Sequence, residues 1–585
     1  MAKDQRVNSI LLIDCGTAMT KAVLLDQVRG RYRLVARGEV PTTTEPPWSD
    51  VVDGILHAAE RISAVTGRDF FDGNSDLILP ELSDRRGVDA FATTVSASPP
   101  LQVVAGGLVR DLSVASVERA AVGTYSLIKA VLTGEGRGIL QEEILIHKIH
   151  KSVSDVICIA GGAEGGARIP VLRLVRAATL ACALLDPDQR PVLLYAGNSQ
   201  LRQTVVKIVK KRVELRVTDN VCPAPMKESL HSAQMEFDSL YLNKMKQLPG
   251  IKIVDGWSPT RLLPTARAFG RLMEYLWHLG DPLKGVLGVD IGAANTTVAA
   301  VFDGHISLTV RSGLGVAFGG EQLVQKQGAE TISRWLPEPM SDDEVRGLLI
   351  NKEMHPTSIP QIQRELCLEQ ALAREALRAA LKTARSGWNP GAAQPYPHLL
   401  PLCDTIVAGG GVLAHAPHPG QAALIILDAL QPIGITTLVL DKYGLASLLG
   451  AAAAIKPLAA VETLDSGGFT NLATVVTPVA GHARRGDTIL KVHVTYDDES
   501  AFSVEVSYGD LEVLPLPPGQ QAMLELQPLH HFDVGLGGPG KGGQQRVNGG
   551  LAGLIIDARG RPLQLASNPE QRQTQMQQWR WDVGG

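Results

Sequence analysis

One pattern in this sequence occurs twice and restricts the fold more than any other feature. Residues 10–26 read ILLIDCGTAMTKAVLLD, and residues 286–303 read VLGVDIGAANTTVAAVFD. Each copy has an apolar run, an Asp-x-Gly, a patch of small and hydroxyl residues, and a second apolar run. The pattern predicts a strand, a tight turn and a returning strand. The short side chains of such a turn let backbone N–H groups approach an anion closely.

Each copy also places a carboxylate at the end of its first strand, at Asp14 and at Asp290. A carboxylate that faces a phosphate requires a cation between them, and Mg²⁺ often binds carboxylates through its own water molecules. We therefore predict that Asp14 and Asp290 hold a hydrated Mg²⁺ and that the two turns clamp a magnesium nucleoside triphosphate, with both acids at the reacting centre. The alternative is that each Asp only caps its own turn.

A third segment is rich in glycine. Residues 404–413 (DTIVAGGGVL) predict an apolar strand that ends in Gly409, Gly410 and Gly411, where an adenosine would lie against bare backbone. Two Asp-x-Gly hairpins followed by a strand–Gly–Gly are typical of the two-lobed ATP-binding fold of actin, Hsp70 chaperones and sugar and acetate kinases. The predicted fold class is thus α/β, with two ribonuclease H-like lobes. The alternative is three ordinary turns in an α/β protein with 59 glycines.

Length, charge and cysteine content limit the other function classes. At 585 residues the chain is too long for one core, and its net charge of −4 does not favour nucleic acid or an anionic membrane. The first nine residues lack the apolar region of a signal peptide, and no apolar stretch approaches the ~20 residues of a spanning helix. Six scattered cysteines without a C-x-x-C indicate a cytoplasmic protein with no disulfide framework or iron–sulfur cluster.

We predict three domains. Residues 1–283 form a first lobe with the first phosphate hairpin, and residues 284–463 form a second lobe with the second hairpin and the adenosine turn. Short alternating runs separated by turn residues predict an all-β appendage with a flexible tail at 464–585. The segment 155–166 (DVICIAGGAEGG) is a second strand–Gly–Gly and predicts a counterpart of the adenosine turn in the first lobe.

One further segment imitates a different nucleotide site. Residues 535–542 read GLGGPGKG and nearly satisfy the P-loop pattern G-x-x-x-x-G-K-[ST]. Gly542 stands where the pattern needs the hydroxyl that binds Mg²⁺, and the residues that follow do not favour a helix. We therefore predict a flexible loop of the β appendage.

The chain as a whole resembles the glutamate mutase L family, the actin-like ATPases associated with adenosylcobalamin-dependent glutamate mutase. The stretches that carry the resemblance are LLIDCGTAMTKAVLL, YRLVARGEVPTT, VVAGGLVRDLSVASVERAAVG, PVLLYAGN, VLGVDIGAANTT and RWLPEPMSDDEVRGLLINKEMHPTSIPQ. They are spread in order over residues 10–460. The resemblance implies ATP and Mg²⁺ as ligands and a cobalamin-dependent mutase as the partner.

The residues predicted to contact the nucleotide combine the matched turn positions with two candidate donors to phosphate oxygens, Asn295 and Thr296. Lys21 is the candidate cation for the γ-phosphate. The predicted nucleotide ligands are Gly16, Thr17, Thr20, Lys21, Gly292, Asn295, Thr296, Gly409, Gly410 and Gly411.

The turns also depart from the family pattern. Ala18 and Met19 replace hydroxyl residues of the first turn, and Thr297 stands where the relatives tend to have an acid. Fewer hydroxyls and one lost carboxylate weaken the case for fast hydrolysis more than the case for binding, so the sequence leaves open whether ATP is hydrolysed.

Three functions fit these observations. The first is a nucleotide-dependent chaperone or reactivation factor for an adenosylcobalamin-dependent mutase. The second is a small-molecule kinase of the same fold, although no catalytic base is marked in the sequence. The third is an actin-like scaffold whose assembly the nucleotide controls. Fold alone does not choose among them, and the sequence leaves open the oligomeric state and the role of the β appendage.

Overall fold

The computed structural model describes residues 7–134, 139–210, 212–258, 260 and 262–584. Strands and helices are numbered in chain order along these residues. The strands are β1 (Ser9–Cys15), β2 (Met19–Val28), β3 (Arg31–Pro41), β4 (Ala90–Val95), β5 (Leu101–Gly107), β6 (Ser126–Thr133), β7 (Val156–Ile159), β8 (Val192–Tyr195), β9 (Leu215–Val217), β10 (Leu263–Pro264), β11 (Gly285–Ile291), β12 (Asn295–Phe302), β13 (His305–Ser312), β14 (Cys403–Gly409), β15 (Gly434–Leu440), β16 (Thr470–Thr477), β17 (Thr488–Tyr496), β18 (Ala501–Ser507), β19 (Leu511–Leu514), β20 (Gln521–Pro528), β21 (Gly543–Asn548) and β22 (Leu554–Asp557).

The helices connect and cover these strands. They are α1 (Val51–Thr66), α2 (Ala115–Ala121), α3 (Ile139–Ser152), α4 (Ile169–Ala183), α5 (Arg202–Val209), α6 (His231–Met245), α7 (Ile251–Trp257), α8 (Thr265–Leu279), α9 (Gly320–Gln327), α10 (Glu330–Ser333), α11 (Asp342–Met354), α12 (Gln363–Arg385), α13 (Gly411–Ala414), α14 (Pro419–Leu430), α15 (Ala446–Ala452), α16 (Pro457–Thr463) and α17 (Pro569–Asp582). Among the described residues, no helix combines the length and the apolar character needed to cross a bilayer.

Both Asp-x-Gly segments form the predicted hairpins. Strands β1 and β2 are antiparallel, and the Gly16 N–H donates to the Met19 carbonyl at 3.0 Å to close their turn. Strands β11 and β12 pair in the same way, and the Gly292 N–H donates to the Asn295 carbonyl at 2.9 Å. The apolar runs are buried on both faces, which is why they read as continuous rather than alternating hydrophobic stretches.

Each hairpin lies in a sheet with the same order of strands. The first sheet runs β3-β2-β1-β4-β10, and the second begins β13-β12-β11-β14-β15. In each, a strand joins the first hairpin strand in parallel and a further parallel strand follows it. This repeated order defines two ribonuclease H-like halves, so the predicted α/β fold class is confirmed.

The chain divides into two compact units. The large unit runs from the N-terminus to Ala97, from Lys252 to Leu308 and from Gly313 to the C-terminus, so it contains both hairpin sheets except the last four residues of β13. The small unit comprises Ser98–Ile251 with Thr309–Ser312. The division into three domains at residues 283 and 463 stays a prediction.

The small unit has a parallel sheet of its own, in the order β6-β5-β7-β8-β9. Its core includes Ile157, Val175, Leu193 and Val205. The predicted counterpart of the adenosine turn at 155–166 is wrong, because β7 pairs with β5 and β8 in this sheet and with no strand of a hairpin sheet. A strand followed by two glycines suits any parallel strand that enters a loop, so the pattern does not identify the sheet.

The C-terminal region is rich in β-structure, as predicted. Strands β16, β22 and β19 extend the second hairpin sheet, whereas β18-β17-β20-β21 form a separate antiparallel sheet. Lys541 lies in the loop before β21, and the element that follows it directly is that strand and not a helix. The segment 535–542 is therefore a loop, as the sequence predicts, and not a P-loop.

The polar end of the chain differs from the predicted flexible tail. Residues Pro569–Asp582 form α17, whose first turn is capped by the Asn568 side chain, which accepts from the Gln571 N–H at 3.1 Å. Met576 and Trp579 are buried in the core of the large unit. A helix with only a few apolar side chains gives a weak periodic pattern, and most of its stability comes from its tertiary contacts.

Helices α8 and α15 cross at very short range. Each helix follows the fifth strand of its hairpin sheet, and a Cβ on Gly450 of α15 would overlap the carbonyl oxygen of Ala268 in α8. Neither the Ala268 carbonyl nor the axis of either helix can move without disturbing the hairpin sheet from which that helix follows. Glycine is therefore required at this crossing.

We expect Gly450→Ala to lower the stability of the protein by about 1–3 kcal/mol, because the added methyl group overpacks a helix crossing. Differential scanning calorimetry would measure the fall in Tm. The matched control is Gly347→Ala in α11, where no atom lies within 4 Å of the added Cβ. That variant should be neutral or more stable by about 0.5–1 kcal/mol. Equal Tm values for the two variants would contradict the close crossing.

Candidate functional site

Asp14 is held by three elements of the first half. It lies near the end of β1 and is buried. Its Oδ1 accepts hydrogen bonds from the Thr94 hydroxyl of β4 at 2.7 Å and from the Thr265 hydroxyl at the start of α8 at 2.8 Å. Both hydroxyls fix one carboxylate oxygen, which orients the whole carboxylate.

Asp290 occupies the equivalent position in the second half but lacks such support. It lies on β11 opposite Thr297 and beside Gly409 of β14. Among the described residues, none donates a hydrogen bond to its carboxylate. Burial raises the pKa of Asp290 to about 6; Lys21 acts against this shift, and the negative charges of Asp441 and Asp14 add to it. Asp290 is therefore an acid that lacks a full counter-charge.

Lys21 extends from the first hairpin towards the second half. It lies on β2 directly opposite Asp14, and its Nζ lies 2.8 Å from the position that a Cβ on Gly444 would take. Its positive charge opposes the rise in pKa that burial causes at both Asp290 and Asp441. Lys21, a residue of the first half, thus acts on two carboxylates of the second half.

Asp441 is a member of this cluster that the sequence analysis missed. It follows β15 and is buried, and it accepts from the Leu445 N–H at 2.7 Å and the Ala446 N–H at 2.8 Å. It therefore caps the start of α15. Burial raises its pKa, while those backbone hydrogen bonds and Lys21 oppose the shift. The sequence signal that could have identified Asp441 is an apolar run that ends in Asp, as the run of β1 does at Asp14. Here the run is followed by a helix.

The three glycines after β14 have different surroundings. A Cβ on Gly409 would stand 2.9 Å from Oδ1 of Asp290, and one on Gly410 would overlap the carbonyl of Ile291. Gly410 also has a φ of 106°, which disfavours any other residue. No atom lies within 4 Å of the Cβ position of Gly411. The first two glycines allow β11 to approach, and the third leaves open backbone; their contact with adenosine stays a prediction.

The hydroxyl groups of the two turns bind the protein itself. The Thr17 hydroxyl donates to the Ser96 carbonyl at 3.2 Å, and the buried Thr20 hydroxyl lies 3.1 Å from that of Thr42. The Thr296 hydroxyl is buried and donates to the Leu314 carbonyl at 2.6 Å. These bonds brace the turns, and the predicted contacts of these residues with phosphate stay predictions.

The second turn is further supported by the loop that follows β13. The Val316 N–H donates to the Gly292 carbonyl at 3.1 Å, and the Ala317 N–H donates to the Ala293 carbonyl at 2.9 Å. Asn295, which closes the turn through its carbonyl, remains partly exposed. The turn is consequently braced by backbone hydrogen bonds that do not depend on a ligand.

The arrangement suits a cation that is bound through water. Lys21 acts on the carboxylates of Asp290 and Asp441 and lies opposite Asp14 on the neighbouring strand, and the carboxylate of Asp290 lacks a donor among the described residues. In that part of the chain, no group of three His, Cys, Asp or Glu side chains is close enough to hold a metal ion directly. Mg²⁺ retains several of its waters and binds one or two carboxylates, so these residues fit a hydrated Mg²⁺.

Comparison with known proteins identifies the family. The sequence profile of the MutL protein family matches residues 10–467, which is most of the chain, and the chain belongs to that family. The family predicted from the sequence is thereby confirmed. A similar relative is "Protein MutL" of Clostridium tetanomorphum, which is 24% identical over 441 residues, covering 71% of this chain and 88% of the relative.

Solved structures give only loose superpositions. Nucleotide-free acetone carboxylase has a TM-score of 0.31 and 11% identity, over 85% of this chain and 81% of that one. A glycerol dehydratase reactivase has a TM-score of 0.30 and 11% identity, over 77% of this chain and 100% of that one. TM-scores this low carry no argument, so the fold assignment rests on the strand order.

The raised pKa of Asp290 predicts a pH-dependent penalty. Below about pH 4 the carboxyl is protonated in both the folded and the unfolded chain; between about pH 4 and 6 only the folded chain keeps the proton, so stability falls as the pH rises. Asp290→Asn removes this loss. Without nucleotide or metal, we expect this variant to be more stable than the wild type at pH 8 by about 1–3 kcal/mol in free energy of unfolding, and therefore to have a higher Tm. The difference should shrink towards pH 5.

Asp303→Asn is the matched control, because Asp303 is exposed in the turn between β12 and β13. Its φ of 50° is a conformation that Asn adopts readily. This variant should keep the wild-type Tm throughout the pH range. A Tm for Asp290→Asn below that of the wild type at pH 8 would show that the carboxylate is compensated after all.

Proposed function

We propose that this protein binds Mg-ATP between the two hairpins of the large unit and acts as a nucleotide-dependent reactivation factor for an adenosylcobalamin-dependent mutase. The observation that carries the proposal is the placement of Asp14 and Asp290 on equivalent strands of two equivalent sheets, with Lys21 opposite Asp14 and acting on the pKa of Asp290. The charges of Asp14 and Lys21 both act on the pKa of Asp290, which supports a common electrostatic site. A bound cation would compensate the negative charges of the acids, and a bound polyphosphate would compensate the positive charge of the lysine.

Each part of the site has a proposed role in binding. Asp14 and Asp290 orient a hydrated Mg²⁺, and Lys21 pairs with the terminal phosphate. The N–H groups of the turns that begin at Gly16 and Gly292 face the phosphate oxygens, while the open backbone at Gly411 accepts the adenosine. The metal supplies neutralisation of the phosphate charge when it is bound.

The fold suggests how binding would be converted into movement. The acids, the lysine and the glycines come from two sheets that are connected through the crossing of α8 and α15. A ligand that contacts both sheets favours the arrangement in which its contacts are complete, and thereby shifts the population towards that arrangement. We propose that this shift alters a surface that a mutase recognises. The mutase as partner rests on membership of the MutL family and on the resemblance to glutamate mutase L.

Hydrolysis is proposed to be slow without a partner. The side chain opposite Asp290 is Thr297, which is buried and carries no charge. The hydroxyls of Thr20 and Thr296 are already engaged in hydrogen bonds within the protein. Phosphoryl transfer depends on positioning and on charge stabilisation, so few groups remain to activate a water molecule.

We expect isothermal titration to detect Mg-ATP binding by the wild type. Asp14→Asn and Lys21→Gln should each weaken the affinity about 10- to 100-fold, because each removes a charge-assisted contact. Lys541→Ala is the control: it removes a lysine from the loop before β21 and should leave the affinity unchanged.

A large loss of affinity in Lys541→Ala would move the site to the glycine-rich loop. Absence of any heat for the wild type, together with an unchanged Tm at millimolar Mg-ATP, would refute nucleotide binding, because a ligand of the folded state must raise stability.

Steady-state phosphate release by the isolated protein should be far below the 1–100 s⁻¹ typical of kinases. Addition of a purified adenosylcobalamin-dependent mutase in its inactivated state should raise the rate about tenfold or more, because the partner favours the closed site. A mutase without bound cofactor and an unrelated protein serve as controls. Rapid hydrolysis by the protein alone would instead favour a self-sufficient ATPase or kinase.

A further inference from the structure

A cleft of about 360 Å³ in the large unit is lined by no residue of the candidate nucleotide site. Its walls are the segment 336–340 before α11, the first turns of α12, and the last turns of α17. A volume of this size is within the range of small-ligand pockets. The matched family profile ends at residue 467, so the wall formed by α17 lies outside it.

Arg580 of α17 lines this cleft, and no described residue supplies it with a counter-ion. Its Nη1 lies 3.1 Å from Sγ of Cys367, and the Gln363 amide, with its oxygen turned towards Arg580, accepts from both Nη atoms. Its Nε is buried without any hydrogen-bond partner. Among the described residues, no carboxylate forms an ion pair with this guanidinium. Arg580 as a whole is half-buried, and a partly desolvated charge without a counter-charge is unfavourable, so an anion in the cleft would stabilise it.

The second arginine of the cleft is already compensated. Arg364 bonds both oxygens of Glu344, at 2.8–2.9 Å, and lies 3.7 Å from Glu338. Behind the cleft, Arg374 pairs with Asp428 at 2.8 Å. Arg580 is therefore the cation of this group that remains available to a ligand.

Besides its two arginines, the cleft is lined by apolar residues, by Cys367 and by the polar side chains of Glu338, Gln363 and Gln577. Leu336, Pro337 and Met340 form its apolar wall. Burial raises the pKa of the Cys367 thiol, so that the thiol stays protonated and is a poor nucleophile. The lining suits reversible binding and not covalent chemistry.

We infer that this cleft binds a small organic carboxylate with a short apolar chain. The carboxylate pairs with Arg580, since a guanidinium presents N–H donors that match the two oxygens of a carboxylate. The chain lies against Leu336 and Met340, where burial of each CH₂ is favourable. This site is independent of the proposed nucleotide site, and neither inference depends on the other.

The test uses the full-length protein and butyrate as the probe, at constant ionic strength. Butyrate should raise the Tm of the wild type and give saturable binding in isothermal titration, whereas butyramide, its neutral analogue, should not. Phosphate should bind more weakly than butyrate, because it lacks the apolar chain. Arg580→Gln should weaken butyrate binding at least about tenfold, since it removes the charge and keeps an amide in place.

Arg572→Gln is the matched control, because Arg572 lies on the same helix and its side chain donates to the backbone carbonyls of Ala566 and Ser567. It should bind butyrate as the wild type does. If Arg580→Gln does not fold, the comparison of butyrate with butyramide on the wild type decides the question. Equal binding of the two, tighter binding of phosphate, no binding of butyrate at 50 mM (about 50-fold above a 1 mM Kd), or wild-type affinity in Arg580→Gln would each overturn the inference.

Discussion

The crossing of α8 and α15 determines the geometry on which the candidate site depends. Both helices begin at the site: Thr265, the first residue of α8, holds the carboxylate of Asp14, and Asp441 caps the start of α15. The helices then meet where Gly450 lies against the Ala268 carbonyl. Because interiors are packed as tightly as crystals, this contact has few alternatives. Around this crossing α8 also packs on β11 and β12, and α15 packs on β1 and β4, so these contacts together set the relation between the acids of the two halves.

The charges of the site lower the stability of the folded protein and leave a carboxylate that a ligand can compensate. Asp14 is satisfied by two hydroxyls and Asp441 by two backbone N–H groups, whereas no described residue donates to the carboxylate of Asp290. The pKa of Asp290 is raised to about 6, so at neutral pH its charge is held at a cost in folding free energy. Groups that violate the usual rules of polar satisfaction concentrate at functional sites. This imbalance, more than the glycines, distinguishes the site from ordinary turns.

The C-terminal region is joined to the second half by a buried ionic network. Asp428 of α14 pairs with Arg374 and with Arg559, each at 2.8 Å, and Arg559 also pairs with Asp557 of β22 at 2.8 Å. The Arg559 guanidinium lies 4.4 Å from the ring centroid of Trp579 in α17. Such charges are tolerated in a core only because each is paired and hydrogen-bonded. The network explains why a polar terminal segment is ordered, and α17 in turn completes the cleft that contains Arg580.

Local patterns in the sequence determined the two hairpins, the acids at their ends and the glycines after β14, because turns and strand ends depend on neighbouring residues. They also indicated that Lys541 belongs to a loop, since the missing hydroxyl and helix are local features. Tertiary structure alone decided three other points. The sheet that contains β7 depends on parallel pairing between distant segments; the role of Asp441 depends on its approach to Lys21 across two sheets; and α17 depends on burial of Met576 and Trp579. These depend on contacts between residues far apart in the chain, and a single sequence records no partner for any of them.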